Sequence, residues 1–452
     1  MSVHQHWLSP NRALAASGAF AVYAAGLAYY TRGADQTWAM WAAVAYGVTT
    51  ALIFLTRRTR VSLIVPLLVS LGGALGAPLI WLVTRVQPTD EVRVISQSAK
   101  LLLQHGTPYL ASGQLESYLS YNPYMPAMSI FGLPKALGAT GVIADPRVWM
   151  TIVSIVLIAV AFWLVGPHLS CRSCSRNVAL STVFAASSPV IAFPLALGIT
   201  DPPVIALLLV TLALAARPER RAMLAGVVLG FASAMKSTAW PAVPIIAAMF
   251  ATRYGGKVAL RFVGIAALVA GAVSAAMAPA ALSDPATFLQ NTVLFPLGLT
   301  THHTPAASPL PGHLLAMTGP IGHWVAVGLL LAAGFGFALS LVVRPPTDAR
   351  GAALRIALGL AIMFTLAPAT RWGYFAYPIG LIGWLALTGQ GSVPASSGSG
   401  SSSDSRPSGM VLAPAVATAG RSVATVMAAV MAAGWSATYG LPPKLAAART
   451  KE

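Results

Sequence analysis

Asp90 and Glu91 stand side by side after a long apolar run, in a chain where 9% of residues are charged. A carboxylate held at a boundary between oil and water loses part of its hydration, which makes it a stronger base for an O–H proton. The pair also has a structural reading. Acids at a helix N-terminus gain ~0.3–1 kcal/mol from the helix dipole, and Arg93 lies within pairing distance in sequence. Lys236 falls in an apolar stretch, where a cation needs a cavity, a partner, or a helix end from which to snorkel. Arg371 in "PATRWGYFAYP" and His302 and His303 in "LTTHHTP" are further donors suited to an anionic group. Asp201 in "GITDPP" and Glu116 can accept from hydroxyl groups, although a residue ahead of two prolines is equally a helix cap. Tyr109, Tyr121, Asn122 and Tyr124 bring aromatic faces and an amide into one short segment. They suit either a ring-stacking platform or an interfacial belt.

The elements that hold these residues must be membrane helices. The chain has 452 residues, 56% hydrophobic, with a mean hydropathy of +0.73. Apolar runs of about 18 or more residues recur, and about 20 residues cross a bilayer core. Spans are expected near 13–30, 38–55, 61–84, 148–166, 178–197, 203–216, 222–237, 240–252, 258–282, 321–343, 353–370, 374–388 and 420–436. The fold class is thus an all-α polytopic membrane protein with about 11–13 spans. With the first residue on the cytoplasmic side, the clusters Arg57/Arg58/Arg60, Arg172/Arg176, Arg217/Arg220/Arg221, Arg253/Lys257/Arg261 and Arg344/Arg350/Arg355 all fall inside. Asp35, Asp90, Glu91, Glu116, Asp145, Asp201 and Asp284 all fall outside. This alternation accounts for the net charge of +17 without nucleic acid as a partner. The first apolar run exceeds a signal h-region and is expected to stay as an anchor.

Two outer loops are large, near 85–147 and 283–320. In the first, Val92, Ile95, Ala99 and Leu102 recur at helical spacing between Thr89 and Gly106, which predicts a short amphipathic helix on the outer surface, capped by Thr89. The segment 389–409 is a Ser/Gly-rich linker. Cys171 and Cys174 form a C-x-x-C too poor in partner ligands for a zinc site, and no metal or cofactor is expected. Neither a P-loop nor a dinucleotide-binding glycine motif is present, which argues against an ATP-driven pump and against a Rossmann-like nucleotide-sugar site.

The acid after a span, the helix ending "LLLQHGTPY", then "YNPYMPAMSIFGLP" and "LAGVVLGFASAMKSTAWP", resemble C-type (GT-C fold) integral-membrane glycosyltransferases that use polyprenyl-phosphate sugars. The nearest group is the bacterial polyprenyl-phosphate-mannose-dependent α-mannosyltransferases, glycosyltransferase family eighty-seven, over roughly residues 61–388. The resemblance implies an outward-facing site at the plasma membrane, inversion at the anomeric centre and no metal. It implies a base on the acceptor hydroxyl, which maps first onto Glu91 and second onto Asp90. Lys236, Arg371, His302 and His303 would then hold the donor phosphate. Tyr109, Glu116, Tyr121, Asn122, Tyr124 and Asp201 would meet sugar or acceptor. Here the acid follows the third span and not the first, which implies an added N-terminal helix pair, 1–60, ahead of the catalytic region 61–388, the linker 389–409 and a C-terminal helix and tail, 410–452. The expected partners are a polyprenyl-phosphate hexose, with mannose first, a cell-envelope lipid or glycan acceptor, and membrane lipids. The competing class is a multi-pass transporter or lipid flippase, which would gather ionisable groups near mid-membrane on broken helices.

Overall fold

The computed structural model describes residues 8–59, 62–166 and 172–388. Among these residues every regular element is helical, apart from one isolated bridge between Ala307 and Thr370. The long elements are α1 (Pro10–Tyr30), α2 (Gly33–Thr56), α3 (Ile64–Arg85), α4 (Asp90–His105), α5 (Pro146–Val165), α6 (Arg172–Ser187) and α7 (Pro189–Leu197). They continue with α8 (Asp201–Ala215), α9 (Ala222–Met235), α10 (Ala242–Tyr254), α11 (Gly256–Met277), α12 (Pro320–Val343), α13 (Ala349–Leu366) and α14 (Ala376–Leu387).

The span count differs from the expected 11–13. Seven helices among the described residues are long and apolar enough to cross a membrane, or eight if the α6–α7 pair is one span bent by 57°. The bend falls at Ser188–Pro189, where a proline cannot continue the preceding helix. Helices α8, α9, α10 and α14 run for 15, 14, 13 and 12 residues. Breaks at Gly198, Lys236 and Ala367–Thr370 separate them from the neighbouring helices. The expected span 420–436, the linker 389–409 and the Cys171 and Cys174 side chains lie outside the described residues.

Contacts at the helix ends tie several of the basic junctions together. Arg217 donates to the Gly166 carbonyl (3.3 Å), Tyr254 to the Arg217 carbonyl (3.2 Å) and Thr252 to the Pro346 carbonyl (3.0 Å). These basic junctions share one end of the bundle. The junctions at Leu197–Asp201, Lys236 and Arg371 meet at the other. Helices α1 and α2 contribute residues to the main core, among them Ala24, Leu27, Trp38 and Tyr46. The Trp38 indole donates to the Ala74 carbonyl (2.8 Å), inside a π-helical turn at Gly72–Gly76, and the Tyr46 hydroxyl donates to the Ser187 carbonyl (2.6 Å).

Helix α4 forms as its periodicity predicts and ends at Gly106, whose φ of +67° closes it with a left-handed cap. Its apolar stripe, however, faces protein. Val92, Val94, Ile95 and Ala99 are buried, and Ile95 and Ala99 meet the 3-10 turn Pro126–Gly132 so closely that a Cβ on Gly132 would lie 2.4 Å from the Ile95 carbonyl oxygen. The Thr89 hydroxyl does not cap α4 either. It donates across to the Leu197 carbonyl (3.1 Å), tying the start of α4 to the end of α7.

The two large loops pack on each other. Asn122 N–H donates to the Asn291 side-chain oxygen (2.8 Å), the Asn122 amide to the Pro108 carbonyl (3.1 Å), and the Tyr121 and Phe295 rings stack at 4.4 Å. The bridge at Ala307 then pins the second loop beside Thr370: Ser308 N–H donates to the Thr370 carbonyl and Thr370 N–H to the Ala306 carbonyl, both at 2.9 Å.

Candidate active site

Four chain junctions converge on Glu91. Residue 91 lies in the first turn of α4 and turns inward, with its side chain 15% exposed. Thr200, at the start of α8, donates to Glu91 Oε2 through both its backbone N–H (3.0 Å) and its hydroxyl (3.1 Å). Arg371 donates through Nη1 to the other oxygen, Oε1 (3.1 Å). Lys236, at the end of α9, donates through Nζ to the Thr200 hydroxyl oxygen (3.0 Å) and to Asp201 Oδ1 (2.5 Å). The cluster therefore holds two cations and two carboxylates, which balance.

Local sequence explains each placement. Gly198 ends α7 at φ +89°, and the chain reverses within three residues to start α8. Pro202 and Pro203 follow Asp201 and carry no N–H, so the donor that points at α4 is the Thr200 amide. The positive end of α8 thus faces the Glu91 carboxylate. Lys236 leaves the helix in an extended conformation (φ −155°, ψ 136°), and its ammonium sits 5.5 and 5.4 Å from the Tyr124 and Tyr374 ring centres. Such faces stabilise a desolvated cation. Arg371 is extended as well, clamped by the bridge at Thr370 and by Trp372 N–H donating to the Ser308 hydroxyl (3.1 Å). Its side chain stays 35% exposed.

Asp90 points the other way. It accepts from the Tyr118 hydroxyl (3.2 Å), and no ion pair to Arg93 forms among the described residues. The Asp90 charge, with that hydrogen bond, raises the Tyr118 phenol above its ordinary pKa. Burial does the same, more strongly, for Tyr124.

Of the residues singled out in the sequence, Glu91, Lys236, Arg371, Asp201 and Tyr124 come together. Tyr109, Tyr121 and Asn122 lie under the loop–loop contact: Tyr109 donates to the Tyr124 carbonyl (2.9 Å) and is 2% exposed. Glu116 is exposed on the first loop. The His302 ring meets Tyr121 at 6.3 Å, and among the described residues neither His302 nor His303 bonds to the cluster. Thr200, Tyr374 and Tyr377 were not legible as site residues. Tyr377 accepts from the Thr238 hydroxyl (2.7 Å) and reaches Asp201.

Chemically, the cluster presents one partly accessible guanidinium beside a carboxylate, backed by a buried ion pair. Residues 122–368, more than half of the chain, match the model of glycosyltransferase family 87. The chain belongs to glycosyltransferase family 87. No curated protein and no solved structure matches it. The family match includes Tyr124, Thr200, Asp201 and Lys236 and stops short of Glu91 on one side and Arg371 on the other. The two residues that face each other across the accessible edge of this cluster thus come from outside the matched segment. A glycosyltransferase needs a donor and an acceptor substrate, and the Glu91–Arg371 edge sets a carboxylate and a partly exposed guanidinium side by side.

Proposed function

We propose that this family 87 glycosyltransferase moves a hexose, with mannose as the first candidate, from a polyprenyl phosphate to a cell-envelope lipid or glycan at the outer face of the plasma membrane. The observation that carries the reading is the Glu91–Arg371 contact of 3.1 Å, because it puts a carboxylate and a 35%-exposed guanidinium at one edge. Glu91 takes the proton of the acceptor hydroxyl. The acceptor oxygen bonds to the anomeric carbon as the bond from that carbon to the phosphate oxygen breaks, and the electron pair leaves with the polyprenyl phosphate. Arg371 is suited to receive the charge that builds on that phosphate, as a planar fork with several donors. Lys236 is committed to Asp201 and Thr200 and supports the site from behind. Asp90 serves at the solvent side of α4, where Tyr118 holds it.

The reading is tested by transfer from a labelled polyprenyl-phosphate mannose in membranes containing a native acceptor extract, with wild type, Glu91→Gln and Asp90→Asn at matched levels. Wild-type transfer with Glu91→Gln reduced by ~10²–10⁴-fold supports it. Loss in Asp90→Asn alone moves the base to Asp90. Wild type inert with a panel of lipid-linked hexoses, and active in moving a lipid across the bilayer, replaces it with the transporter class.

A further inference from the structure

Glu91 has two oxygens, and the structure treats them differently. Lys236 bears an ammonium, which donates and cannot accept. Its contact with the Thr200 hydroxyl therefore uses Oγ1 as the acceptor (3.0 Å). The Tyr124 phenol also bonds to Thr200; with the ammonium and the phenol both donating to Oγ1, the single hydroxyl proton of Thr200 goes to Glu91 Oε2, 3.1 Å away, where the Thr200 N–H also arrives at 3.0 Å. Asp201, 1% exposed, fixes the other side of the ammonium and so fixes the direction of the whole chain of bonds. Oε2 is then filled by two donors from one residue. Oε1 has one described partner, the partly exposed Arg371.

Resting on the glycosyltransferase reading above, we infer that Thr200 is the positioning residue of the base: with its proton aimed by Lys236, it locks Oε2 and leaves Oε1 as the oxygen that receives the acceptor proton. A carboxylate held by two bonds at one oxygen cannot rotate to present the other, so the reactive oxygen is chosen before substrate arrives. Thr200 touches neither donor nor acceptor. Its removal acts on turnover and on proton transfer, and not on the binding of the lipid donor.

The test compares Thr200→Val, Thr200→Ser and Thr200→Cys with wild type in the transfer assay, with full pH–rate profiles and thermal unfolding of each purified chain in detergent. Valine keeps the shape and the backbone N–H and removes the hydroxyl. Its kcat is expected to fall by about 10–100-fold, with the KM for the lipid donor nearly unchanged. Its pH–rate profile is expected to differ from that of wild type, because Glu91 Oε2 has lost the hydroxyl donor. Serine restores both kcat and profile. Cysteine, a weaker donor, falls between them. A folded valine variant with wild-type kcat and profile overturns the inference. Should valine not fold, equal kcat and profile in the serine and cysteine variants overturn it instead. An inert wild type removes the glycosyltransferase reading and this inference together, whereas an active wild type indifferent to Thr200 removes the inference alone.

Discussion

Gly198 sets the distance between the α7–α8 corner and the helix that carries Glu91. A Cβ at Gly198 would lie 2.2 Å from Val92 Cγ2, 2.8 Å from Arg147 Cγ and 3.1 Å from Arg147 Cδ. Neither neighbour yields easily. Val92 is 2% exposed, and Arg147, also 2% exposed, is held by two bonds to Asp145, from Nε to Oδ1 (2.9 Å) and from Nη2 to Oδ2 (2.7 Å). Gly198→Ala therefore meets two costs. The left-handed backbone at φ +89° opposes any Cβ by about 1–2 kcal/mol. Overpacking against Val92 and Arg147 adds about 1–3 kcal/mol. The total expected loss is about 2–5 kcal/mol. Val92 adjoins Glu91, so the movement that relieves the clash carries the carboxylate away from Thr200. A displacement near 1 Å in a catalytic group lowers turnover by ~10²-fold. Thermal unfolding in detergent and transfer from the lipid-linked sugar measure the two effects. The double variant Val92→Ala/Gly198→Ala is expected to recover the packing part and not the backbone part. A Gly198→Ala chain that unfolds and transfers like wild type would refute the claim that this close approach positions Glu91.

Other outcomes follow from the same geometry. Lys236→Met leaves Asp201 buried and unpaired and is expected to cost about 3–5 kcal/mol of unfolding free energy, while Lys236→Met/Asp201→Leu recovers most of it; unfolding of the purified chains checks both. Asn291→Ala removes the acceptor of the buried Asn122 N–H and is expected to cost about 1–3 kcal/mol, read as faster proteolytic nicking of the 106–125 loop. Arg371→Gln is expected to raise the KM for the lipid donor and lower kcat, with Arg371→Lys recovering charge but not the planar fork; initial rates against donor concentration separate the two. Tyr118→Phe removes an exposed bond to Asp90 and is expected to change stability by less than about 0.5 kcal/mol and leave transfer near wild type.

Glu91 was readable because composition isolates it: a rare charge at the edge of an apolar run stands out. Lys236, Asp201 and Arg371 were readable for the same reason. What the sequence withheld was who pairs with whom. Lys236 looked like a cation waiting for an anionic ligand, and the fold supplies Asp201 and Thr200 instead. Thr200 carried no signal, since one hydroxyl between an isoleucine and an aspartate fits a helix cap, and its partner lies 109 residues away in the chain. Tyr109, Tyr121 and Asn122 show the reverse limit. A cluster of tyrosines with an asparagine looks alike whether it lines a binding face or glues two loops, and burial decides between them. The all-α polytopic architecture was legible from the apolar runs, while prolines and an extended lysine cut several of those runs into helices shorter than the composition alone suggests.

The short helices have a consequence for depth. At about 1.5 Å per residue, α8 and α9, with 15 and 14 residues, are about 21–23 Å long, against a hydrocarbon core of about 30 Å. Thr200, Asp201 and Lys236 sit on their ends at one face of the bundle. In a bilayer with the opposite ends of these helices held at one headgroup layer, that face would lie several ångströms below the other lipid surface. Hydrophobic mismatch of this kind draws the surrounding bilayer thinner. A phosphate carried on a polyprenyl chain reaches such a sunken face from the side, by sinking with its own tail, while a water-borne donor must shed its hydration to descend.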